Sequence, residues 1–344
     1  MIGHTRAVCL MIAAVAATAT YHAGAAQTNA TMSAAAALVP FADIHTHFDE
    51  HDPQGTVQSV LRATASENAS KIYLQIPPFS FDDPAAYDAE VILPAAAAHK
   101  DKIGVLGGGG SLNPMIMRSV STSDAGPRVR QQFKDRAEEL LRLGVSGFGE
   151  MAAEHFVGAT PYEYAPPDHP LYLLLADIAA EHGVPIDIHM ESVPQAMALP
   201  APLKSPPNAA SLHENISALE RLLAHNPRAT IVWAHLGSDN TGFRTPAISR
   251  RLLAAHPNLY LEIKHDPRSI GKNPVLADGS VSPAWLDVIR EFPDRFVIGS
   301  DQHYPLDGEP VRWASVVTIL NQLPPDLRNK VGVENPRRVF AGSR

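Results

Sequence analysis

The sequence has 344 residues, of which 45% are hydrophobic and 19% are charged, and its formal net charge at neutral pH is −8. This composition can bury a large core, as one big domain or two ordinary ones, and it argues against a disordered chain. The acidic balance and the lack of a basic stripe argue against a nucleic-acid partner. We therefore expect a small-molecule substrate.

The N-terminal segment has the pattern of a secretory signal peptide. Arg6 precedes an apolar run, a stretch of small residues follows, and the run is too short to span a bilayer. We expect cleavage near Ala25–Gln27, which assigns 1–26 to the signal, 27–38 to a flexible linker and 39–344 to one mature domain. The mature protein would be secreted or periplasmic without a membrane anchor, and its oligomeric state stays open.

Cleavage would also remove Cys9, which is the only cysteine in the sequence. The mature protein would then contain no thiol and no disulfide. Any metal site must therefore use nitrogen and oxygen ligands, and the stability must come from the core.

Short β-like runs alternate with helical stretches along the rest of the chain. The runs lie at 39–47, 71–77, 102–108, 145–150, 184–190, 229–235, 258–264 and 295–301. Helical periodicity lies between them, at 130–143, 171–182, 209–224 and 282–291. This alternation predicts a parallel sheet, and eight units in about 300 residues predict an α/β fold of the (β/α)8 TIM-barrel type. A doubly wound sheet is the alternative, but no glycine-rich nucleotide turn follows the first run.

Three connections are longer than the regular spacing. They lie at 107–127, 151–170 and 191–210. All three follow β-like runs, which places them on the face where barrel enzymes hold their active sites. We interpret them as a lid and the walls of a substrate site, with surface insertions of no function as the alternative.

Side chains suited to metal binding stand at the C-terminal ends of five β-like runs. They are His45 and His47, Glu150, His189, His235 and Asp301. Because the strand ends of a barrel meet at one mouth, we expect these side chains to converge. Unpartnered burial would cost several kcal/mol each, whereas a zinc, manganese or iron ion binds imidazole and carboxylate together. Strand alternation also places Asp43 on the face of His45 and His47.

Five ordered motifs give the sequence a family resemblance. They are DIHTH, AAEHGVPIDIHM, HNPRATIVWAHLG, FVIGSDQ and VENPRRVF, and they span nearly the whole mature chain. In these motifs the sequence resembles the amidohydrolase superfamily, and within it the amidohydrolase-related (amidohydrolase 2) metal-dependent hydrolases of TIM-barrel fold.

The resemblance implies a ligand set. His45, His47 and Asp301 would hold a first metal ion, whereas His189 and His235 would bind a second ion or orient the substrate. Glu150 matches members in which a glutamate bridges two metals. One or two divalent ions are therefore expected, zinc above all, with manganese or another ion as the alternative.

The resemblance also implies metal-assisted hydrolysis of an amide, ester or lactone bond. A bound divalent ion lowers the pKa of water from about 15.7 to about 7. Asp301 would act as the general base, and the metal or His235 would polarise the scissile group.

Four further residues are candidates for substrate binding. They are Lys264, Arg268, His303 and Glu191. Strand parity turns Lys264 into the barrel near its mouth, where we expect it to bind a substrate carboxylate or Glu191. For Glu262 and Asp187, which also point inward, we expect an internal ion pair without a catalytic role.

Other functions remain open at this point. Related members of the family decarboxylate aromatic acids without oxidation, so a lyase on the same barrel is the first alternative. A periplasmic binding protein without catalysis is the second. A nuclease of the same fold is disfavoured by the acidic charge.

Overall fold

Parallel strands form a barrel in the computed structural model, which describes residues 40–156, 163–204, 208–265, 273–306 and 312–342. The strands are β1 (Phe41–Phe48), β2 (Ala69–Gln75), β3 (Ile103–Gly108), β4 (Gly147–His155), β5 (Pro185–Met190), β6 (Thr230–Leu236), β7 (Leu259–Ile263) and β8, in two segments (Phe296–Ile298 and Gln302–Tyr304). Each strand pairs in parallel with the next. The first segment of β8 pairs with β7 and the second with β1, which closes the ring. The predicted (β/α)8 barrel is confirmed.

Helices connect the strands. They are α1 (Pro53–Glu67), α2 (Leu112–Thr122), α3 (Pro127–Leu143), α4 (Pro170–His182), α5 (Ile216–His225), α6 (Pro246–Ala255), α7 (Pro283–Glu291) and α8 (Trp313–Gln322). Shorter helical segments lie at Ala89–Val91, Leu93–Ala96, Ala97–His99, Ala201–Leu203, Pro325–Asn329, Lys330–Glu334 and Asn335–Val339. Within the described ranges, no helix has the length and apolar character that crossing a membrane requires.

The structure corrects the boundaries of one predicted helix and two predicted connections. The helix expected from residue 209 begins at Ile216, because Ser211–Leu212 pairs as a short strand with Met197–Ala198. The connection 107–127 is not a loop, because it contains α2, whose buried side chains recur at helical spacing. Of the connection 151–170, the first residues extend β4 to His155, and Glu163–Tyr164 pairs back on that strand.

The barrel interior is apolar in its N-terminal half. A buried cluster contains Ala42, Ile44, Tyr73, Leu106, Val232, Tyr260 and Val297, together with Val339 and Phe340. The ring of Phe340 stacks on Tyr73 with centroids 3.7 Å apart. The C-terminal segment of the chain thus packs against the inward side chains of the strands, and the polar residues of the site follow nearer the strand ends.

We expect Phe340→Ala to lower the free energy of unfolding by about 3 kcal/mol, because it opens a cavity beneath the strands. Metal content should stay unchanged, since Phe340 belongs to the apolar half of the interior. Chemical denaturation measures the first quantity and elemental analysis the second. Phe81→Ala is the matched control, because Phe81 is 38% exposed and its loss should cost about 0.5 kcal/mol or less. Equal losses in the two variants would contradict the packing described.

Candidate metal centre

Glu150 lies at the centre of a cluster of imidazoles at the C-terminal end of the barrel. Its Oε1 atom lies 2.7 Å from His189 Nδ1 and 3.1 Å from His235 Nε2. Its Oε2 atom lies 3.4 Å from His47 Nε2 and 3.6 Å from His45 Nε2. Each carboxylate oxygen therefore faces its own pair of histidines, contributed by β5 and β6 on one side and by β1 on the other.

Asp301 stands at the edge of this cluster, between the two segments of β8. Its Oδ1 atom lies 3.1 Å from His47 Nε2, whereas Oδ2 lies 2.5 Å from Lys264 Nζ and 2.7 Å from Arg312 Nη1. Burial favours the neutral acid, but the charge of Lys264 and the hydrogen bond with His47 hold the pKa of Asp301 well below its usual range. All six side chains predicted as metal ligands thus lie in one cluster.

The partner of Lys264 differs from the expected one, and Arg312 is a site residue that the sequence does not predict. Lys264 points into the barrel as strand parity predicts, but it pairs with Asp301 and not with Glu191. Arg312 cannot be predicted as a site residue, because it lies beyond the last strand, immediately before α8. No motif or strand parity marks that position.

One-residue bulges occur where three strands deliver cluster residues. The pairing of β1 with β2 shifts within 43–46, that of β4 with β5 within 148–151, and that of β6 with β7 within 233–236. In each case the strand that carries the cluster residue holds one extra residue, as in a β-bulge. The three cluster residues are His45, Glu150 and His235.

The bulge in β1 overturns the predicted position of Asp43. A one-residue shift turns the following side chains to the other face of a strand, so Asp43 does not share the face of His45 and His47. Its carboxylate accepts hydrogen bonds from the Ser300 N–H at 2.9 Å, the Ser300 hydroxyl at 2.5 Å and Trp313 Nε1 at 3.0 Å. Asp43 therefore ties β1 to the residues that follow the first segment of β8 and to α8.

The backbone at two cluster residues adopts a conformation that side chains disfavour. His235 has φ of +67° and Asp301 has φ of +54°. Such left-handed non-glycine residues are uncommon and concentrate at functional sites. Next to Asp301, a Cβ on Gly299 would lie 2.5 Å from Glu262 Oε1 and 2.7 Å from His45 Cβ, so only glycine fits there.

Two further carboxylates contact the ring nitrogens that face away from Glu150. Asp187 Oδ1 lies 3.3 Å from His45 Nδ1, and Glu262 Oε2 lies 3.3 Å from His235 Nδ1. Glu262 Oε2 also accepts the backbone N–H of His235 at 2.5 Å. The expected ion pair is replaced by a chain in which carboxylates and imidazoles alternate, from Asp187 through His45, Glu150 and His235 to Glu262.

His189, His235 and Glu150 are held in the protonation states that metal binding requires. Burial, aided by the neighbouring His155, lowers the pKa of His189 to about 4. Burial and the charge of Lys264 lower the pKa of His235 well below its usual value. For Glu150 burial acts in the opposite sense, but the imidazoles around it hold its pKa well below the usual range. Neutral imidazoles and an ionised carboxylate are the ligand forms of these residues.

His45 behaves differently, because it lies between two carboxylates. Burial disfavours the imidazolium, yet the charges of Asp187 and Glu150 raise the pKa of His45 well above its usual value. The same negative charges that favour a proton here would favour a metal cation in its place.

The polar atoms of the cluster fit a divalent cation. Both ring nitrogens of His45, both carboxylate oxygens of Asp187 and Nδ1 of His235 are buried without a hydrogen-bond partner. Two sets of three residues each offer ligand atoms within 4.8 Å of one another. The sets are His45, His47 and Asp301, and His45, Glu150 and His235. Nitrogen and oxygen donors of this kind suit zinc, manganese and iron-type ions.

The remaining predicted substrate residues lie in different surroundings. The ring of His303 lies beside that of His47, with centroids 4.8 Å apart, and burial and the charge of His47 lower its pKa to about 4. Glu191 is buried and accepts two hydrogen bonds from Asn240, at 2.6 and 3.1 Å. Arg268 lies outside the described residues.

A sequence profile described as amidohydrolase matches residues 122–342. No curated protein matches the chain in a sequence search. An apo crystal structure of a protein from Agrobacterium tumefaciens is 13% identical, covers 88% of this chain and 96% of its own, and has a TM-score of 0.52. Amidohydrolase 2 from Bifidobacterium longum subsp. infantis is 13% identical over 88% of this chain and 99% of its own, with a TM-score of 0.43.

A third similar structure comes from the engineering of organophosphate hydrolysis activity from a weak promiscuous lactonase template. It is 16% identical, covers 89% of this chain and 97% of its own, and has a TM-score of 0.47. The likeness to the Agrobacterium tumefaciens structure, at 13% identity and a TM-score of 0.52, concerns the fold and agrees with the barrel described above.

We expect Asp187→Leu to weaken Zn²⁺ affinity by about 10- to 100-fold, because His45 Nδ1 loses the carboxylate that contacts it at 3.3 Å. The unfolding free energy of the metal-free protein should fall as well, because the charge of Asp187 favours the buried imidazolium of His45. Asp187→Asn keeps an oxygen acceptor, and its Zn²⁺ affinity should lie between those of the native protein and Asp187→Leu.

Competition with a chromogenic chelator gives the affinity, and urea denaturation of metal-free protein gives the stability. A residue that merely supports the fold would lower the stability and leave the affinity alone. That pattern, or equal affinity in all three proteins, would contradict the role assigned to Asp187.

Proposed function

The chain belongs to the amidohydrolase family and is a hydrolase, and on that premise we propose that it hydrolyses an amide, ester or lactone bond with the help of divalent metal. The observation that carries this proposal is the position of Glu150. Its two carboxylate oxygens each face a separate pair of imidazoles at 2.7 to 3.6 Å, in a buried cluster at the barrel mouth. That arrangement supports a glutamate shared between two ions.

Two ligand groups follow from the distances. The first is His45, His47, Glu150 and Asp301, and the second is Glu150, His189 and His235. A divalent cation held here would polarise the scissile carbonyl and make water acidic enough to ionise near neutral pH. Zinc is the proposed ion, because it accepts the mixed nitrogen and oxygen donors present. With a single ion, His189 and His235 would orient the substrate instead.

Asp301 is proposed as the general base. Its Oδ2 atom is held by Lys264 and Arg312, whereas Oδ1 faces His47 and the interior of the cluster. Lys264 and the hydrogen bond with His47 keep Asp301 ionised, and the two cations on Oδ2 fix the direction of Oδ1. The carboxylate can then accept a proton from the attacking water and return it to the leaving group.

Glu262 is proposed to position His235. Its carboxylate contacts both the backbone N–H and Nδ1 of His235, so that Nε2 points towards Glu150. The buried carboxylate of Glu262 thereby keeps Nδ1 of His235 on the side away from Glu150.

The decarboxylase alternative has less support. Within the described part of the site, the side-chain cations Lys264 and Arg312 both contact Asp301, so a substrate carboxylate would have to bind the proposed metal ion itself. Hydrolysis is preferred because the matching family model is described as amidohydrolase.

Export and partners are further parts of the proposal. We infer that residues 1–26 direct secretion to the periplasm or beyond and that the mature enzyme acts on a small molecule without a nucleic-acid partner. Both inferences rest on the sequence, since 1–26 lies outside the described residues.

We expect Asp301→Asn to lower kcat by at least about 100-fold, because the amide cannot take up the proton of the attacking water. The thermal unfolding midpoint should fall, since Lys264 and Arg312 lose their carboxylate partner, but the protein should still fold. Steady-state kinetics on an ester and lactone panel, with CO₂ release measured in parallel on aromatic acids, provides the test. Retained hydrolysis would show that the base is misassigned, and CO₂ release without hydrolysis would favour the lyase.

Replacing a histidine should remove the ion of the ligand group to which that histidine belongs. We expect about two ions per chain in the native protein and about one in His189→Ala, because His189 belongs to the second group only. His45→Ala should lose the ion of the first group and also some stability, since coordination free energy is partly folding free energy. Elemental analysis after dialysis checks both. One ion in the native protein and an unchanged count in His189→Ala would favour the single-ion arrangement.

A further inference from the structure

A cavity of about 470 Å³ lies beside the metal cluster. His47 and His303 form the part of its wall that adjoins the cluster, with their rings 4.8 Å apart. The volume lies in the range of small-molecule sites, and a group bound here would be next to the carboxylate of Asp301. The cavity is therefore the place where the part of the substrate remote from the scissile bond would lie.

Aromatic residues form a second part of the wall. The ring of Tyr87 makes edge contacts with Phe48 and Phe79, with centroids 5.5 and 5.1 Å apart. Tyr304 also lines the cavity. Rings in mutual contact form one continuous surface, and such a surface binds apolar and aromatic groups well.

Two carboxylates, those of Asp49 and Glu50, give the cavity wall a negative charge. Asp49 is fixed by the backbone, since its N–H donates to the Tyr304 carbonyl oxygen at 2.8 Å and its carboxylate accepts the His51 N–H at 2.8 Å. The pKa of Tyr87 is raised by burial and then by the charges of Glu50 and Asp49. The negative potential of these carboxylates thus reaches the aromatic wall.

No lysine or arginine is among the residues that line the cavity in the described part of the chain. The cations of the neighbouring cluster, Lys264 and Arg312, contact Asp301 instead. An anionic group that entered the cavity would lose water and meet the carboxylates of Asp49 and Glu50, the second of which has the exposed His51 beside it at 3.4 Å. This arrangement discriminates against anions by repulsion as well as by the absence of a partner.

We propose that this cavity selects substrates whose remote group is aromatic or apolar and positively charged, and that it rejects anionic groups. Aromatic faces combined with carboxylates are the chemistry that recognises organic cations such as quaternary ammonium groups. The proposal rests on the proposed hydrolase function and narrows its substrates to esters or amides that carry a cationic group. Neutral analogues rank second and anionic ones last.

Three aryl acetates of similar shape test the ranking on the metal-loaded enzyme. They are the para-trimethylammonio, para-tert-butyl and para-carboxy phenyl esters. Each value of kcat/KM is divided by the rate constant for hydroxide hydrolysis, which removes differences in intrinsic reactivity. We expect the cationic ester to exceed the anionic one by about tenfold at low salt and by less at high salt. Equal or reversed values would overturn the proposal.

The double variant Asp49→Asn/Glu50→Gln keeps the shapes of both side chains and removes their charges. In this variant the normalised kcat/KM should become equal for the cationic and neutral esters, and it should rise for the anionic ester. Asp135→Asn/Glu139→Gln is the matched control, since it also removes two carboxylate charges, from exposed positions on α3. The control should keep the native ranking. An unchanged ranking in the double variant would overturn the role of the two carboxylates.

Calorimetric binding separates this proposal from the hydrolase function. The probes are benzyltrimethylammonium and phenylacetate, measured with the native protein and the double variant. Weaker binding of the cation by about tenfold in the variant, without a parallel loss for the anion, supports the cavity assignment even if no ester is cleaved. Failure of the cation to bind, or tighter binding of the anion that persists in the variant, overturns it.

Discussion

An ionised carboxylate buried among imidazoles is the interaction on which the site depends. Glu150 is 3% exposed, and such a charge is stable in the barrel only because histidines surround it. Two of these histidines, His45 and His235, are in turn backed by carboxylates, Asp187 and Glu262. The result is a buried chain in which carboxylates and imidazoles alternate at 2.7 to 3.6 Å. Several of its polar atoms have no hydrogen-bond partner, and a divalent cation would satisfy them.

The barrel keeps this polar layer separate from the apolar layer below it. Along β1, the inward side chains change from Ala42 and Ile44 to His45 and His47, and the bulge between them lets both sets face inward. Glycine makes room where the layers meet, since a Cβ on Gly149 would lie 2.3 Å from Gln75 Oε1. The apolar layer supplies the rigidity, and the polar layer supplies the chemistry.

The sequence predicts the barrel and the cluster well because both depend on strand order and strand ends. Each predicted β-like run overlaps a strand among the described residues, although β4 continues past Glu150 to His155. His189 and Asp301 converge because they lie near the C-terminal ends of their strands. Asp43 was placed on the wrong face, because simple alternation takes no account of a bulge. Arg312 could not be found, because it reaches Asp301 from beyond the barrel strands. Strand parity predicts the inward direction of Lys264, but its pairing with Asp301 depends on distances that the sequence does not contain.

The interruption of β8 has a consequence for how this protein matures. Asp301 sits at the seam where the first and last strands join, and its backbone N–H donates to the His45 carbonyl oxygen at 2.8 Å. The terminal strands must therefore come together before the acid and the histidines can meet. On the role proposed for Asp301, a chain in which β1 and β8 are not joined would lack the base beside the histidines, even with its other strands formed. Turnover would then report closure of the ring, which spectroscopic helix content alone does not provide.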